Sequence, residues 1–211
     1  MATTWNSPNP PPPDRRGEEM VYIIGAPGAG KGTLCARMAQ DFSRDGTCLH
    51  LSVGELLREL CKPENQHLDD RFRGGLRYEE LKQYVERRDL VPATSIVRIV
   101  EAWWQENRPH APNAGMLVDG FPRDIETAEL ADQLFGPPTR VLFFDCPENI
   151  ARERFLVRHR SEDDNEAMFA KRYTEFEKLN YEITLHYRKP LMVEVSWLLV
   201  CLCSEKRSHR V

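Results

Sequence analysis

The segment Gly25-Ala26-Pro27-Gly28-Ala29-Gly30-Lys31-Gly32-Thr33 constrains the fold more than any other part of the chain. It follows an apolar run, Met20–Ile24, and opens a helix-like stretch, Lys31–Ser43. A glycine-rich turn in that setting lets the backbone pass close to an anion. Successive N–H groups and the helix N-terminus then point at it. Lys31 adds a point charge that can reach the β- and γ-phosphates of a nucleotide. The general pattern of such loops has Ser or Thr directly after the lysine. Here Gly32 intervenes, and Thr33 supplies the hydroxyl near phosphate and magnesium. A turn that merely joins strand to helix would not need Gly25, Gly28, Gly30 and Lys31 at these spacings. The loop names a nucleotide but not a reaction: an ATPase, a GTPase and a kinase all remain open.

The rest of the chain alternates in the same way. Strand-like runs appear at Met20–Ile24, Cys48–Ser52, Met116–Asp119, Arg140–Asp145 and Leu191–Val200. Helix-like stretches appear at Lys31–Ser43, Glu55–Leu60, Tyr78–Arg88, Ser95–Gln105, Ile125–Leu134, Glu148–Arg158 and Glu166–Tyr187. Strands separated by helices predict an α/β fold: three layers around a five-stranded parallel sheet covered on both faces. The second crossover is longer than one helix requires, which predicts a small helical insertion over about 52–91. At 211 residues the chain suits one sizeable domain. Residues 1–19, with Pro8 and Pro10–Pro13, read as an unstructured Pro-rich tail, with a ligand for a proline-binding module as the alternative.

Composition excludes several partner classes. A formal net charge of -4 shows no basic excess for a sequence-independent grip on nucleic acid. The longest apolar run, near 191–203, is broken by Glu194 and Ser196, and a membrane-spanning helix needs about 20 apolar residues. The six cysteines form no CxxC pair, so no metal site follows from their spacing, and Cys201 and Cys203 read as core packing. The N-terminus has no apolar signal segment. A cytoplasmic protein is expected, with the nucleus as a second compartment.

Arginines stand at the ends of several elements. Arg58 follows Leu51-Ser52-Val53-Gly54-Glu55-Leu56-Leu57, and Arg123 ends Asp119-Gly120-Phe121-Pro122-Arg123 directly after the third strand. Arg158, Arg160 and Arg172 surround the acidic run Glu162-Asp163-Asp164. Arginines converging from different segments suit an enzyme that joins two phosphorylated molecules, because phosphoryl transfer is mainly positioning and charge stabilisation. Arg152 and Arg154 read as surface residues, although Arg154 shares a helix face with Arg158. Asp119 closes an apolar strand beside the loop and suits magnesium held through water, with a cap or turn role as the alternative.

Together these motifs resemble the adenylate kinase family of nucleoside monophosphate (NMP) kinases. The Gly-Lys-Gly-Thr loop ending, the 51–58 segment, Leu90-Val91-Pro92, Asp-Gly-Phe-Pro-Arg at 119–123 and the 158–172 segment carry the resemblance over about 20–192. Phe143-Phe144-Asp145-Cys146-Pro147-Glu148 is most similar to the UMP/CMP kinases. The resemblance implies transfer of the γ-phosphoryl of Mg-ATP to a pyrimidine nucleoside monophosphate by a monomer. Adenylate kinase and a nucleotide binder with impaired catalysis are the alternatives.

Site roles follow from the same resemblance. It places Gly28, Ala29, Gly30, Lys31, Gly32, Thr33 and Arg158 on ATP. The acceptor falls to Ser52, Arg58, Asp89, Leu90, Val91, Gly120, Phe121, Pro122, Arg123, Thr127, Arg160 and Arg172. Lys31, Arg123, Arg158, Arg160 and Arg172 are the implied catalytic set, with magnesium near Asp119 and Thr33. A short lid spans about 159–166, and Asp163 and Asp164 would pair with Arg158, Arg160 and Arg172 as it shuts.

The chain departs from the family pattern in three places. Thr127 stands where the family has Gln or Asn to read the acceptor base. One hydroxyl replaces an amide's donor and acceptor pair, which predicts looser base discrimination. The lid segment Arg158-His159-Arg160-Ser161-Glu162-Asp163-Asp164-Asn165 lacks the Gly that follows the first arginine in the family. The segment 197–210 runs from apolar to basic where the family has a loop and a closing helix. An alternative C-terminus is the expectation there.

Overall fold

A computed structural model describes residues 19–43, 48–110, 114–158, 164–188 and 191–196. The Pro-rich tail, the stretch 159–163 with Arg160 and Asp163, and residues after Ser196 lie outside the described residues.

The centre of the fold is β1 (Met20–Gly25), whose sequence Met-Val-Tyr-Ile-Ile-Gly is apolar on both faces. Alternation along the strand divides the interior. Tyr22 and Ile24 enter one core, and Ile23 enters the other. Strand β3 (Gly115–Asp119) repeats this, with Met116 and Val118 on the first side and Leu117 on the second. The remaining strands are β2 (Cys48–Ser52), β4 (Arg140–Asp145) and β5 (Met192–Ser196). All pair in parallel in the order β2-β3-β1-β4-β5. The five-stranded parallel sheet expected from the alternation is therefore present.

Helices cover both faces, as buried parallel strands require. One core is sealed by α1 (Lys31–Ser43), α6 (Glu148–Val157) and the start of α7 (Glu166–His186), through Cys35, Ala151, Phe155 and Phe169. The other is sealed by α4 (Ala93–Asn107), α5 (Ile125–Phe135) and the end of α7, through Ile99, Val100, Ala128, Ala131 and Ile183. Tyr187, just past α7, packs edge-on to Tyr22 at a ring separation of 6.0 Å and donates to Asp132 Oδ1 at 2.9 Å.

Between β2 and α4 the chain runs through α2 (Val53–Leu60), two 3-10 turns and α3 (Tyr78–Arg87). Leu60 and Leu81 of this segment join the core, and a buried arginine sits beside them. Arg73 is 2% exposed. Its guanidinium donates to the carbonyls of Asn65 and Leu68 and to Asp70 Oδ1. It thereby ties both 3-10 turns to one point.

The topology also fixes where a ligand can bind. From β1 the chain goes through α1 to β2 at one edge of the sheet. From β3 it goes through α5 to β4 on the opposite side of β1. Such a reversal opens a crevice at the carboxyl ends of the strands. The loop after β1 and the turn after β3 both lie at that end.

Candidate functional site

The loop after β1 is shaped by its glycines and closed by its lysine. Gly28 has φ +86, and a Cβ there would run into the carbonyl of Ala151 on α6. Glycine is required on both counts. Lys31 folds back and donates to the carbonyls of Gly25 (2.6 Å) and Ala26 (2.8 Å). Its ammonium thus sits inside the turn at the start of α1. Burial lowers its pKa to about 8, while the Asp119 carboxylate opposes that shift. Ala29, which the resemblance places on ATP, lies within the turn itself. Its side chain is buried in the core and its N–H donates to the Ala26 carbonyl at 3.1 Å. That gives Ala29 a turn-forming position and leaves the cleft wall to Gly28, Gly30, Lys31, Gly32 and Thr33.

A cleft of about 310 Å³ opens over this loop. Seven cationic side chains line it among the described residues: Lys31, Arg58, Arg88, Arg123, Arg154, Arg158 and Arg172. Asp119 and Asp164 are the carboxylates on its wall, and Ser52 also faces it. Arg58 and Arg123 converge near Gly54. A Cβ on that glycine would lie 3.6 Å from Arg58 Nη1 and 3.9 Å from Arg123 Nη2. Arg123 reaches there from the turn after β3, steadied by a bond from its Nε to the Gly120 carbonyl at 3.3 Å.

The guanidiniums crowd one another. Desolvation pulls the Arg172 pKa down to about 9, and the like charges of Arg123, Arg158 and Arg88 pull in the same direction, against Asp164. Desolvation also lowers the Arg123 pKa, although its side chain stays open to cleft water. An arginine in a water-filled cleft keeps its proton. The shifts therefore record a positive field, which a polyphosphate anion would relieve.

Arg158 caps the end of α6 and is held on two sides. Its Nε and Nη2 donate to Asp164 at 3.0 and 3.1 Å, and its guanidinium lies 3.9 Å above the Phe155 ring. Arg172, on α7, approaches the same ring at 5.7 Å. The expected pairing of Asp164 with a lid-segment arginine is present.

A smaller pocket of about 30 Å³ adjoins the cleft and shares Gly120 and Arg123 with it. Leu90, Val91, Phe121 and Thr127 line it together with Asp89 and Val53. Thr127 is 2% exposed, and its backbone N–H is capped by Asp124 Oδ1 at 2.7 Å, which fixes the first turn of α5. Pro122 lies on a third cavity, shared with Lys31, Leu90 and Arg172. The Phe121–Pro122 peptide bond is cis.

Two cleft residues escaped the sequence reading of the site. Arg154, read as a surface residue, lines the cleft. Its spacing of four from Arg158 was the available signal. In the sequence Arg88 is only the end of the helix-like stretch Tyr78–Arg88. Its place on the cleft depends on a backbone conformation, φ +60, that no sequence pattern announces. Arg152 does lie at the surface, paired with Glu166 at 2.7 Å.

The donor set suits a hard cation. Asp119 is 8% exposed, stands in register between Ser52 of β2 and Ile23 of β1, and faces the cleft that Thr33 also lines. Cys35 and His50 place a sulfur and a ring nitrogen within 4.8 Å of an Asp119 oxygen. Burial keeps the Cys35 thiol protonated, and neither Cys35 nor His50 is on the cleft wall. The cleft side is thus left to oxygen donors, the ligands magnesium prefers.

Comparison with known proteins agrees with this geometry. The family model described as adenylate kinase matches residues 23–191. A UMP-CMP kinase of Lentinula edodes is 34% identical over 182 residues, covering 81% of this chain and 74% of that protein. A uridylate kinase of Saccharomyces cerevisiae is 31% identical over 172 residues, covering 80% and 77%. Adenylate kinase 1 of Schistosoma mansoni is 29% identical over 174 residues, covering 81% and 80%.

Proposed function

The chain belongs to the adenylate kinase family, and from that premise we propose that it moves the γ-phosphoryl of ATP reversibly to a pyrimidine nucleoside monophosphate. The products are ADP and the nucleoside diphosphate. One observation carries the reading: seven cations from six separate places in the fold meet over the loop after β1, beside a small pocket lined by Leu90, Val91 and Thr127. A hydrolase needs charge for one polyphosphate, whereas joining ATP to a monophosphate calls for more. The relatives named UMP-CMP kinase and uridylate kinase support the pyrimidine acceptor.

The roles follow from position. The N–H groups around Gly28–Thr33 and the Lys31 ammonium hold the β- and γ-phosphates. Arg158, stacked on Phe155, holds the ATP side. Arg58 and Arg123 hold the acceptor phosphate near Gly54. Arg172 lies between these groups and stabilises the charge on the phosphoryl in flight. The attacking oxygen belongs to a phosphate already largely ionised near neutrality, so no general base is required. Asp119 and Thr33 would hold magnesium indirectly, through water or phosphate. Bound with ATP, the ion neutralises charge on the phosphate oxygens. Arg160, in the lid of about 159–166, would complete the cluster as the lid keeps water away from the γ-phosphate.

The protein would act as a monomer in the cytoplasm, and in the nucleus as a second compartment. Among the described residues no helix is long and apolar enough to cross a membrane.

The test is ADP formation by the purified chain with Mg-ATP and, separately, UMP, CMP, dCMP, AMP or no acceptor. ADP appearing with UMP or CMP, and lost in Arg123→Ala, is the expected result. A preference for AMP would move the protein to the adenylate kinases. ATP binding without turnover on any acceptor would contradict catalysis by this chain.

A further inference from the structure

Arg88 is the one non-glycine residue with positive φ among the described residues, at φ 60 and ψ 28. It caps the C-terminus of α3, a position where glycine relieves the clash of Cβ with the backbone. An arginine here keeps the strain, and such strain persists only where the surroundings hold it. They do so from two directions. The N–H of Arg88 donates to the Val85 carbonyl at 3.3 Å, and that of Asp89 to the Tyr84 carbonyl at 3.0 Å. From α7, Lys171 Nζ donates to the Arg87 carbonyl at 3.0 Å and to Asp89 Oδ1 at 3.1 Å. The residues on either side of Arg88 are thus both gripped by one lysine.

The clamped turn divides its side chains between two spaces. Arg88 lines the phosphate cleft with Arg58, Arg123 and Arg172. Asp89, Leu90 and Val91, which follow it directly, line the smaller apolar pocket. Arg88 therefore stands where the two spaces meet. Its charge reaches Arg172, whose pKa it helps to lower.

We propose that Arg88 binds the acceptor's phosphate from the β2–α4 segment, as a third arginine beside Arg58 and Arg123. This rests on the reading of the protein as a nucleoside monophosphate kinase. It adds a contact that arrives with the segment carrying the base pocket. The acceptor phosphate is thereby gripped from the same side as the base, and from the opposite side by the turn after β3.

The conformation of Arg88 makes its test unusually clean, because Arg88→Gly removes the side chain while suiting the backbone. The variants Arg88→Gly and Arg88→Lys are compared with wild type. The readouts are kcat, KM for ATP and for the monophosphate, calorimetric affinity for UMP, CMP and AMP, and the thermal midpoint. Arg88→Gly is expected to weaken monophosphate binding by about tenfold or more, as loss of a charged hydrogen-bonding partner does. KM for ATP should stay within about threefold, and the thermal midpoint should stay level or rise. Arg88→Lys should recover part of the affinity, since a point charge replaces a planar fork.

An Arg88→Gly enzyme with unchanged monophosphate affinity would overturn the proposal. So would a loss confined to kcat, which would move Arg88 to the transferring phosphoryl, or a lowered thermal midpoint with both substrates weakened equally. A wild type that prefers AMP contradicts the pyrimidine reading and leaves the Arg88 contact standing, because the phosphate is common to all three nucleotides. A wild type that binds no monophosphate overturns both.

Discussion

Asp164 takes both arms of the Arg158 guanidinium, at 3.0 and 3.1 Å, at the two ends of the stretch 159–163. Asp164 is 5% exposed and Arg158 21%, so water screens the pair little. The carboxylate holds the fork in a fixed plane above Phe155 and also competes with phosphate for it. Asp164→Asn should therefore separate the two effects. We predict kcat lower by about tenfold, with KM for ATP unchanged or reduced. Steady-state kinetics decides it: a tenfold rise in KM at constant kcat would contradict the competition.

Arg172 sits among like charges, and Arg123, Arg158 and Arg88 all act on it. Removing it should relieve that crowding while removing charge stabilisation from the reaction. Arg172→Met is predicted to lower kcat by about a hundredfold or more, the scale of losing one preorganised donor. Its thermal midpoint should not fall. A destabilised variant would show that Arg172 is mainly a structural residue.

Lys31 gives a pH limb with a definite sign. Its folded pKa of about 8 lies below the ordinary 10.5, so the free enzyme loses the ammonium as pH rises through about 8. The expected result is kcat/KM for ATP falling above that pH and a flat profile in Lys31→Arg. Between about 8 and 10.5 the unfolded chain binds more protons at this lysine than the folded chain. The contribution of Lys31 to stability therefore rises with pH across that window and is least favourable below it. Denaturation of wild type and Lys31→Met at pH 7 and pH 10 checks the sign: the difference between them should shift in favour of wild type at the higher pH.

Arg73 holds the segment between β2 and α4 by three bonds from a 2%-exposed side chain. Arg73→Met keeps much of the volume but leaves two carbonyls without their donor. A loss of about 2–4 kcal/mol is expected, read by chemical denaturation. Hydrogen exchange should localise the change to residues 63–78.

Thr127 should make the base pocket permissive. One hydroxyl in a pocket lined by Val53, Leu90 and Val91 cannot match both edges of a base. UMP and CMP are predicted to differ by less than about tenfold in kcat/KM, since strong rejection needs a paired polar group left unsatisfied. Thr127→Asn should widen that ratio. A wild-type ratio above a hundredfold would show that other groups read the base.

Much of this was legible in the sequence, because period and turn chemistry are local. The Met20–Gly25 run, the glycines and Lys31 announce strand, turn and helix without tertiary information. Arg58, Arg123, Arg158 and Arg172 were legible because each adjoins a motif. The rest depended on packing or backbone conformation. Arg154 has one signal, a spacing of four from Arg158, and a surface helix face gives the same spacing. Arg88 reaches the cleft through a left-handed turn that Lys171 braces from 83 positions away. The burial of Ala29 and the bond of its N–H to Ala26 follow from packing that its motif does not state. Arg73 reads as one charge in a charged stretch, and only the folded segment buries it.

On the proposed function, phosphoryl passes between nucleotides with water kept out. The most direct test follows the label from γ-labelled Mg-ATP during incubation with UMP or CMP. Label is expected in the nucleoside diphosphate, with little in inorganic phosphate and neither product from Arg123→Ala. Label released mainly as inorganic phosphate, with or without the monophosphate, would contradict that function and make the cleft that of a hydrolase.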